Sequence, residues 1–476
     1  MKEGLSVNAA QQRLRYIMSD MLTGFVAFFI FNIVRFFLLN GNQPAEFMWE
    51  YVLSGKLIIE TVVVPVGMLG IYWLSGYYNL PFGKSRLQEF LVTFSSSVVN
   101  TALIYLVLLI NDQTGRRTVN YELILSLLGL LFIFCYIGRI IITSFALRHF
   151  KAHQWGFRAL VIGATPRARA TARRLVEGPS RVGYTIVGFV TIPGEENDSV
   201  VGGDVYSMDE VERVCHDNKI DQLIIAQKSY DENKVLNLLY HLFSLGIPIK
   251  IMPDTFSFIT SGIRLQDIYG EPFIDLTTPS ISEASKNIKR TIDVVASLLM
   301  LIILSPVYAW LAVMVKSDSK GPVFYRQERI GLRQVPFYIY KFRSMRVDAE
   351  KDGPRLSSDD DSRVTRVGKI LRKYRLDELP QFWNVLKGDM SLVGPRPERA
   401  YYIAKIMERA PYYALLYQVR PGITSWGMVK YGYASTVDQM VERTRFDLIY
   451  LSNMSLFVDF KIMIYTVNTV VRGRGV

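Results

Sequence analysis

The chain has 476 residues, half of them apolar, which is long enough for two or three domains and more hydrophobic than one water-soluble core requires. Its formal charge of +12 suits surfaces that meet anionic headgroups, nucleic acid or phosphorylated substrates, without choosing among them. Two cysteines, Cys135 in an apolar run and Cys215 in a polar one, and four scattered histidines exclude a disulfide framework and a thiolate or histidine metal cluster.

Four apolar stretches, Met21–Leu39, Leu57–Trp73, Phe90–Ile110 and Leu123–Leu147, each approach the roughly 20 residues that a bilayer core demands. They predict four transmembrane helices within residues 1–150. Lys2, Arg13 and Arg15 before the first, Lys84 and Arg86 between the second and third, and Arg148, Lys151 and Arg158 after the fourth would face the cytoplasm. Arg116 and Arg117 in the third loop argue against that orientation. The first stretch follows a polar leader and shows no small-residue cleavage site, so a retained anchor is expected rather than a signal peptide.

From Phe157 onward short β-rich runs alternate with helical ones: RALVIGA, RARATARRLVE, YTIVGFV, SMDEVERVCHDN, DQLIIA, DENKVLNLLYHLFSLG and IPIKIMP. This alternation predicts a Rossmann-like parallel α/β domain over 151–254. Its turn Gly163-Ala164-Thr165-Pro166 stands where a dinucleotide fingerprint would, yet lacks the second and third glycines that let backbone approach a pyrophosphate. A fold of this kind without cofactor is expected. Residues 255–285 read as a loop-rich connector, and 286–476 as a last domain.

That domain opens with KRTIDVVASLLMLIILSPVYAWLAVMVK, whose apolar part Ile292–Val315 would be about 36 Å long as a straight helix. Ser305-Pro306 interrupts it: proline removes a helical hydrogen bond, and serine can bond the backbone so released. Lys286, Lys289 and Arg290 precede it, and Lys316, Lys320 and Arg326 follow. Cations at both ends suit a helix that enters and leaves by one face. Proline is also common in spans, so the residues leave a turned-back helix and a kinked fifth span both open.

Polar motifs crowd the remainder. In LRKYRLDELPQFWNVLKGDMSLVGPRPE the spacing of Leu376, Leu379, Trp383 and Leu386 predicts an amphipathic helix, with Pro380 in its first turn and Gly388 past its end. Asp377 would then lie at the helix N-terminus, where backbone N–H groups and the dipole keep a carboxylate ionised and favour a phosphate. An ionised aspartate can attack phosphorus and form an acyl phosphate. Glu378 could hold a divalent cation. Arg375, Lys341, Arg343, Arg396 and Arg420 could neutralise pyrophosphate oxygens. An ordinary helix cap beside a cationic stripe is the plain alternative, and spacing alone leaves both open.

The motifs KRTIDVVAS with the LSP break, GPVFYRQERIG, FYIYKFRSM, LRKYRLDELPQFWNVLKGDMSLVGPRPE, RPGIT and SLFVDFKI occur in this order. Together they resemble the catalytic domain of the monotopic phosphoglycosyl transferases, bacterial sugar transferases that act on undecaprenyl phosphate. The resemblance covers Lys286 to Val476, and the whole chain resembles the large subgroup with four transmembrane helices and a degenerate Rossmann-like domain. It implies transfer of a sugar-1-phosphate from a UDP-sugar to undecaprenyl phosphate with release of UMP, the priming step of exopolysaccharide, capsule or O-antigen assembly. It implies Asp377 as covalent nucleophile and Glu378 as its partner acid near Mg²⁺, with Lys341, Arg396 and Asp459 also in the site. Asp377, Glu378 and Asp459 are thus the expected metal ligands. It further implies that Ser305-Pro306 breaks a re-entrant helix and that the catalytic domain lies on the cytoplasmic face of the bacterial inner membrane. One departure is SWGMVKYG after RPGIT, where the family often has GWAQVNGR, which leaves contacts there, including any by Lys430, open.

Tyr401, Tyr402, Tyr412, Tyr413 and Tyr417 lie among cations, as at a membrane interface or as packing within the domain. Expected partners are the UDP-sugar, undecaprenyl phosphate, the lipid bilayer and downstream glycosyltransferases, and not nucleic acid. The middle domain is open to a regulatory role or homodimer contacts. A membrane-anchored nucleotide-sugar oxidoreductase or dehydratase and a non-catalytic scaffold for glycan assembly are the competing readings. The identity of the sugar is not legible in the residues.

Overall fold

A computed structural model of the chain describes residues 5–6, 8–40, 43–82, 84–109, 117–152, 154–177, 183–192, 203–226, 232–251, 274–275, 281–351, 353 and 361–471. Strand β1 (Leu5–Ser6) is followed by helices α1 (Ala9–Asn40), α2 (Ala45–Val52), α3 (Gly55–Leu74), α4 (Arg86–Ile104) and α5 (Arg117–Lys151). Four helical stretches, Ala9–Asn40, Gly55–Leu74, Arg86–Leu109 and Thr118–Lys151, are long and apolar enough to cross a membrane. Helix α1 starts well before the predicted Met21 because the polar leader continues it, burying Gln12 and Tyr16 against the bundle. Outer faces expose Ile59, Val63, Leu91, Leu125 and Ile141, the pattern of helices surrounded by lipid, while Phe28, Phe31, Leu127 and Leu131 fill the centre. Ile110, Arg116 and most of the expected connector lie outside the described residues.

The next part is built on a parallel sheet. Its strands are β2 (Trp155–Ile162), β3 (Tyr184–Val190), β4 (Val205–Tyr206), β5 (Gln222–Ile225), β6 (Ile249–Ile251) and β7 (Ile274–Asp275). They take the order β4-β3-β2-β5-β6-β7, all parallel except β6 with β7, and β1 adds alongside the start of β2. Helices α6 (Pro166–Glu177), α7 (Val211–Asp217) and α8 (Glu232–Phe243) connect them. Leu160, Val161, Leu223 and Ile224 are wholly buried, as apolar runs in central parallel strands must be. Gly163 has φ +123°, and a Cβ there would lie 2.9 Å from the Ala226 carbonyl oxygen, so this glycine answers a close backbone approach.

Helices α9 (Glu283–Ile303) and α10 (Ser305–Asp318) meet at Leu304 with a 62° bend. Pro306 sits in the first turn of α10, where its missing N–H costs no helical bond, and the Ser305 hydroxyl donates to the Ile302 carbonyl at 2.8 Å. The remaining elements are the antiparallel hairpin β8 (Phe324–Ile330) and β9 (Pro336–Phe342), α11 (Arg366–Lys373), α12 (Gln381–Lys387), β10 (Ser391–Val393), α13 (Ala400–Arg409), β11 (Gly422–Thr424), α14 (Trp426–Lys430), α15 (Val437–Ser452) and α16 (Leu456–Val471). Strands β10 and β11 pair in parallel.

One expectation needs correction here. The helix predicted from Leu376 to Leu386 is a 3₁₀ turn, Leu376–Glu378, followed by the separate α12. The Leu379 N–H bonds the Leu376 carbonyl at 3.3 Å and the Trp383 N–H the Pro380 carbonyl at 3.1 Å, three-residue closures that wind tighter than an α-helix, so Leu376 and Leu379 fall out of α-helical phase with Trp383 and Leu386. The inward face of α12 is instead Gln381, Asn384 and Val385, while Trp383 is 55% exposed. Asn384 earns burial by donating to the Tyr338 carbonyl at 2.7 Å and accepting from the Tyr340 N–H at 3.0 Å. Of the two roles left open for the tyrosines, the structure shows packing for most of them. Tyr402, Tyr413 and Tyr417 are buried in one apolar cluster with Ile403 and Ile406, so they pack the interior; Tyr401 is exposed. Part of that cluster is Tyr240 of α8, and Ala414 packs in turn against Leu239 and Leu242, which docks the α/β part on the C-terminal part.

Candidate active site

The β8–β9 hairpin, the turn before α12 and the segments around α13 and α15 enclose a cleft of about 340 Å³. Strand alternation sets Tyr325, Gln327 and Arg329 on the one face of β8 that lines it, and Lys341 enters from β9. Arg372, Asp377, Arg396, Glu398, Arg399 and Arg443 complete much of the wall. Counting also Arg343, Arg346, Arg363 and Glu350, cationic lining side chains outnumber acidic ones nine to three among the described residues. A lining of this charge attracts anions.

Asp377 and Glu378 share the 3₁₀ turn, and both are buried, at 7% and 8% exposure. Their surroundings differ. The Glu378 carboxylate lies 2.9 Å from Lys341 Nζ, 3.5 Å from Arg396 Nη2 and 3.5 Å from Arg375 Nη1. Although burial pushes its pKa up, Lys341, Arg396 and Arg375 together hold it well below the usual carboxylate range. Asp377 makes no ion pair and no side-chain hydrogen bond among the described residues. Burial raises it to about 6, with Lys341 opposing the rise and Glu378 adding to it. Asp377 is therefore still ionised at neutral pH, as expected, but it precedes α12, and desolvation outweighs any help from the helix end. Arg375 in the left-handed region is a strained position for a long side chain, costing on the order of 1–3 kcal/mol, and it aims the turn.

Of the residues expected in the site, Lys341, Arg375 and Arg396 are brought to the carboxylate pair. Arg343 reaches the cleft wall, but its guanidinium donates to the carbonyls of Ser319 at 2.6 Å and Lys320 at 2.8 Å, closing the end of α10. Its place as a phosphate ligand is therefore corrected to a capping role. Arg420 is exposed, donates to the Gly388 carbonyl at 2.8 Å and does not line the cleft. Lys430 stands 5.2 Å above the Trp426 ring and likewise lies outside it.

Asp459 does not join Asp377 and Glu378. It bonds Lys289 Nζ at 2.7 Å and accepts from the Tyr450 hydroxyl at 2.6 Å, a pin between α9, α15 and α16. Among the described residues no group of three or more His, Cys, Asp or Glu side chains could hold a metal ion. The donors left are the Asp377 and Glu378 oxygens, hard ligands of the type Mg²⁺ accepts when substrate phosphates and water complete its shell. The pair fits a metal only in that shared form.

Sequence reasoning missed most of the wall. Arg329, at 3.3 Å, and Arg443 both pair with Glu398, and Arg399 holds Glu350 at 2.6 Å. The alternation of Tyr325, Gln327 and Arg329 in the motif GPVFYRQERIG was the available signal for β8. Arg399 directly follows the GPRPE motif that carries Arg396 and could have been named from it, whereas Arg443 carries no local signal, because α15 brings it in from a separate segment.

A family model described as bacterial sugar transferase matches residues 284–473, and a second, described as CoA-binding domain, matches 74–253. A UDP-glucose:undecaprenyl-phosphate glucose-1-phosphate transferase of Xanthomonas campestris pv. campestris is 30% identical over 399 residues, covering 81% of this chain and 80% of that protein. The chain belongs to the bacterial sugar transferases. Two relatives are more alike over shorter stretches. A UDP-N-acetylgalactosamine-undecaprenyl-phosphate N-acetylgalactosaminephosphotransferase of Aeromonas hydrophila is 44% identical over 188 residues, 40% of this chain and 44% of its own. A UDP-glucose:undecaprenyl-phosphate glucose-1-phosphate transferase of Escherichia coli (strain K12) is 37% identical over 251 residues, 52% of this chain and 54% of its own. This sugar transferase thus spans about half the length of the latter two relatives.

Proposed function

We propose that this bacterial sugar transferase moves a sugar-1-phosphate from a UDP-sugar to undecaprenyl phosphate, releasing UMP, with the phosphosugar carried between the two on Asp377. The observation that supports this best is the contrast within one dipeptide. Glu378 is tied by three cations, while the equally buried Asp377 faces an anion-accepting cleft without a partner among the described residues. With its pKa near 6, Asp377 is mostly carboxylate at neutral pH and poorly solvated, which suits a nucleophile.

In the first step an Asp377 oxygen forms a bond to the phosphorus that bears the sugar. The bond from that phosphorus to the bridging oxygen breaks, and its electron pair leaves on UMP. In the second step a phosphate oxygen of undecaprenyl phosphate attacks the same phosphorus and the Asp377 carboxylate departs, leaving an undecaprenyl diphosphate sugar. Lys341 and Arg396 neutralise charge on the equatorial oxygens in both steps, and Glu378 holds these cations in place. Mg²⁺ would be held by Glu378 with Asp377 beside it and would supply Lewis-acid neutralisation of pyrophosphate charge.

The bent pair α9–α10 is read as a re-entrant anchor. It carries cations before and after its apolar core, and α10, with 14 residues, is about 21 Å long, too short to cross alone. Such an anchor would hold Asp377 at headgroup depth on the cytoplasmic face, where a water-soluble nucleotide sugar and a lipid phosphate can both arrive.

The test is product analysis with purified protein in bilayers. UMP release that requires undecaprenyl phosphate for continued turnover, together with sugar-phosphate mass on the peptide containing Asp377, is the expected result. Release of UDP, or turnover without any adduct, would overturn the reading.

A further inference from the structure

The bundle formed by α1, α3, α4 and α5 contains a polar core that the proposed chemistry leaves unused. Asp20 of α1 makes a two-point ion pair with Arg139 of α5, each N···O distance 2.8 Å, and both side chains are wholly buried. Buried charge in such a bundle is costly and calls for a role. The hydrogen bonds around it lead to one short segment, Ser75–Asn79. The Tyr78 hydroxyl donates to Asp20 at 2.8 Å and the Tyr77 hydroxyl to Glu89 at 2.8 Å. Arg13 donates to the Tyr78 carbonyl at 3.0 Å, and Lys84 to the Tyr77 carbonyl at 2.8 Å. The segment is therefore fastened to the ionic core on one side.

Its other side receives the start of α9. Gly76 has φ +75°, and a Cβ there would fall 2.6 Å from Glu283 Cβ and 2.8 Å from the Ala284 nitrogen, so the two backbones touch. Asn79 donates to Glu283 at 2.7 Å and to Asn287 at 3.1 Å, and Asn287 donates back to the Trp73 carbonyl at 2.5 Å. One turn further along, Arg290 of α9 donates to the carbonyls of Val385 and Leu386 at 2.7 and 3.0 Å. Those carbonyls end α12, the helix that follows Asp377. A continuous line of close contacts thus runs from the ionic core of the bundle, through Ser75–Asn79 and α9, to the element beside the nucleophile.

We propose that Gly76 and Asn79 are positioning residues that seat α9 on the bundle and so set the height of Asp377 relative to the bilayer for the lipid half of the transfer. This rests on the two-step reading of Asp377 given above. A UDP-sugar arrives from water and tolerates a change in height. The acceptor phosphate is tethered to a membrane lipid, so its approach to the charged Asp377 does not.

The test uses the full chain in bilayer nanodiscs, comparing wild type with Asn79→Ala, which removes hydrogen bonds without a clash, and Gly76→Ala, which forces the backbones apart. Three rates are read: sugar-phosphate loading of Asp377 from UDP-sugar alone, transfer to undecaprenyl phosphate in the bilayer, and transfer to a short-chain, water-soluble polyprenyl phosphate. Loading and soluble transfer should stay within about two-fold of wild type, while bilayer transfer falls about ten-fold in Asn79→Ala and up to about 100-fold in Gly76→Ala. Equal loss of all three rates would reduce the contact to general support of the cleft and overturn the proposal. Undiminished bilayer transfer in Asn79→Ala would also overturn it, and this variant decides alone should Gly76→Ala fail to fold. Absence of loading in the wild type would instead overturn the Asp377 reading, and it shows before any substitution is made.

Discussion

The bundle and the cleft both bury charge, but they balance it differently. In the bundle Asp20 is matched to Arg139 by two hydrogen bonds, with Thr93 taking a third guanidinium N–H at 3.0 Å and Tyr78 completing the carboxylate. In the cleft Glu378 is over-matched by three cations while Asp377 is left without a partner among the described residues. Pairing is what a buried charge needs for stability. Under the function proposed above, the buried charge that the fold declines to pair is the one available for chemistry.

The largest expected effect on this contrast is at Asp377. Asp377→Asn should lower transfer by about 10³-fold or more and abolish the adduct, as read by UMP release and peptide mass. It should also raise stability by on the order of 1–3 kcal/mol in thermal unfolding, since a desolvated carboxylate displaced to about 6 becomes a neutral amide. The bundle should respond in the opposite direction. Arg139→Met alone strands Asp20 and should cost about 3–5 kcal/mol, whereas Asp20→Leu with Arg139→Met should recover most of the loss. Equal stability of the single and double variants would show that the pair is not what the bundle depends on.

A smaller effect concerns pH. Asp377 is ionised above about 6, so loading should fall as pH drops through that value. The fold binds the Asp377 proton more tightly than the unfolded chain does. Its contribution to stability is therefore present below the ordinary value of 3.8 and lost as pH rises through about 6. Lys341→Met removes the charge that most opposes this rise and should move the acid limb of residual loading upward by about one pH unit. An unmoved limb would assign it to another group. The smallest effect is expected at Arg420, which is exposed and outside the cleft. Arg420→Ala should change turnover less than about two-fold and stability by less than about 0.5 kcal/mol.

How much was legible follows from range. The four apolar stretches, the alternating α/β part and the Ser305-Pro306 break are local signals of length, period and backbone chemistry, and the structure shows each as helix, sheet and bend. Gly388, at φ +99°, ends α12 as its position after the helix implied. The apolar spacing around Leu376–Leu386 misled because the 3₁₀ winding of the turn Leu376–Glu378 shifts the helical phase, which periodicity does not register. Arg343 and Asp459 misled for a related reason. Both are charged residues within motifs of the site region, yet their partners are the end of α10 and Lys289, both distant in sequence.

The sequence by itself determined the order of parts, the adjacent carboxylates at 377 and 378, and the excess of cations around them, because composition and short-range pattern carry that information. Only the tertiary structure decided which of the two acids is neutralised. It also decided which arginines enclose the cleft and how the bundle grips α9. Burial and ion pairing are properties of segments brought together from separate parts of the chain, and they shift a carboxylate by amounts that no local motif encodes.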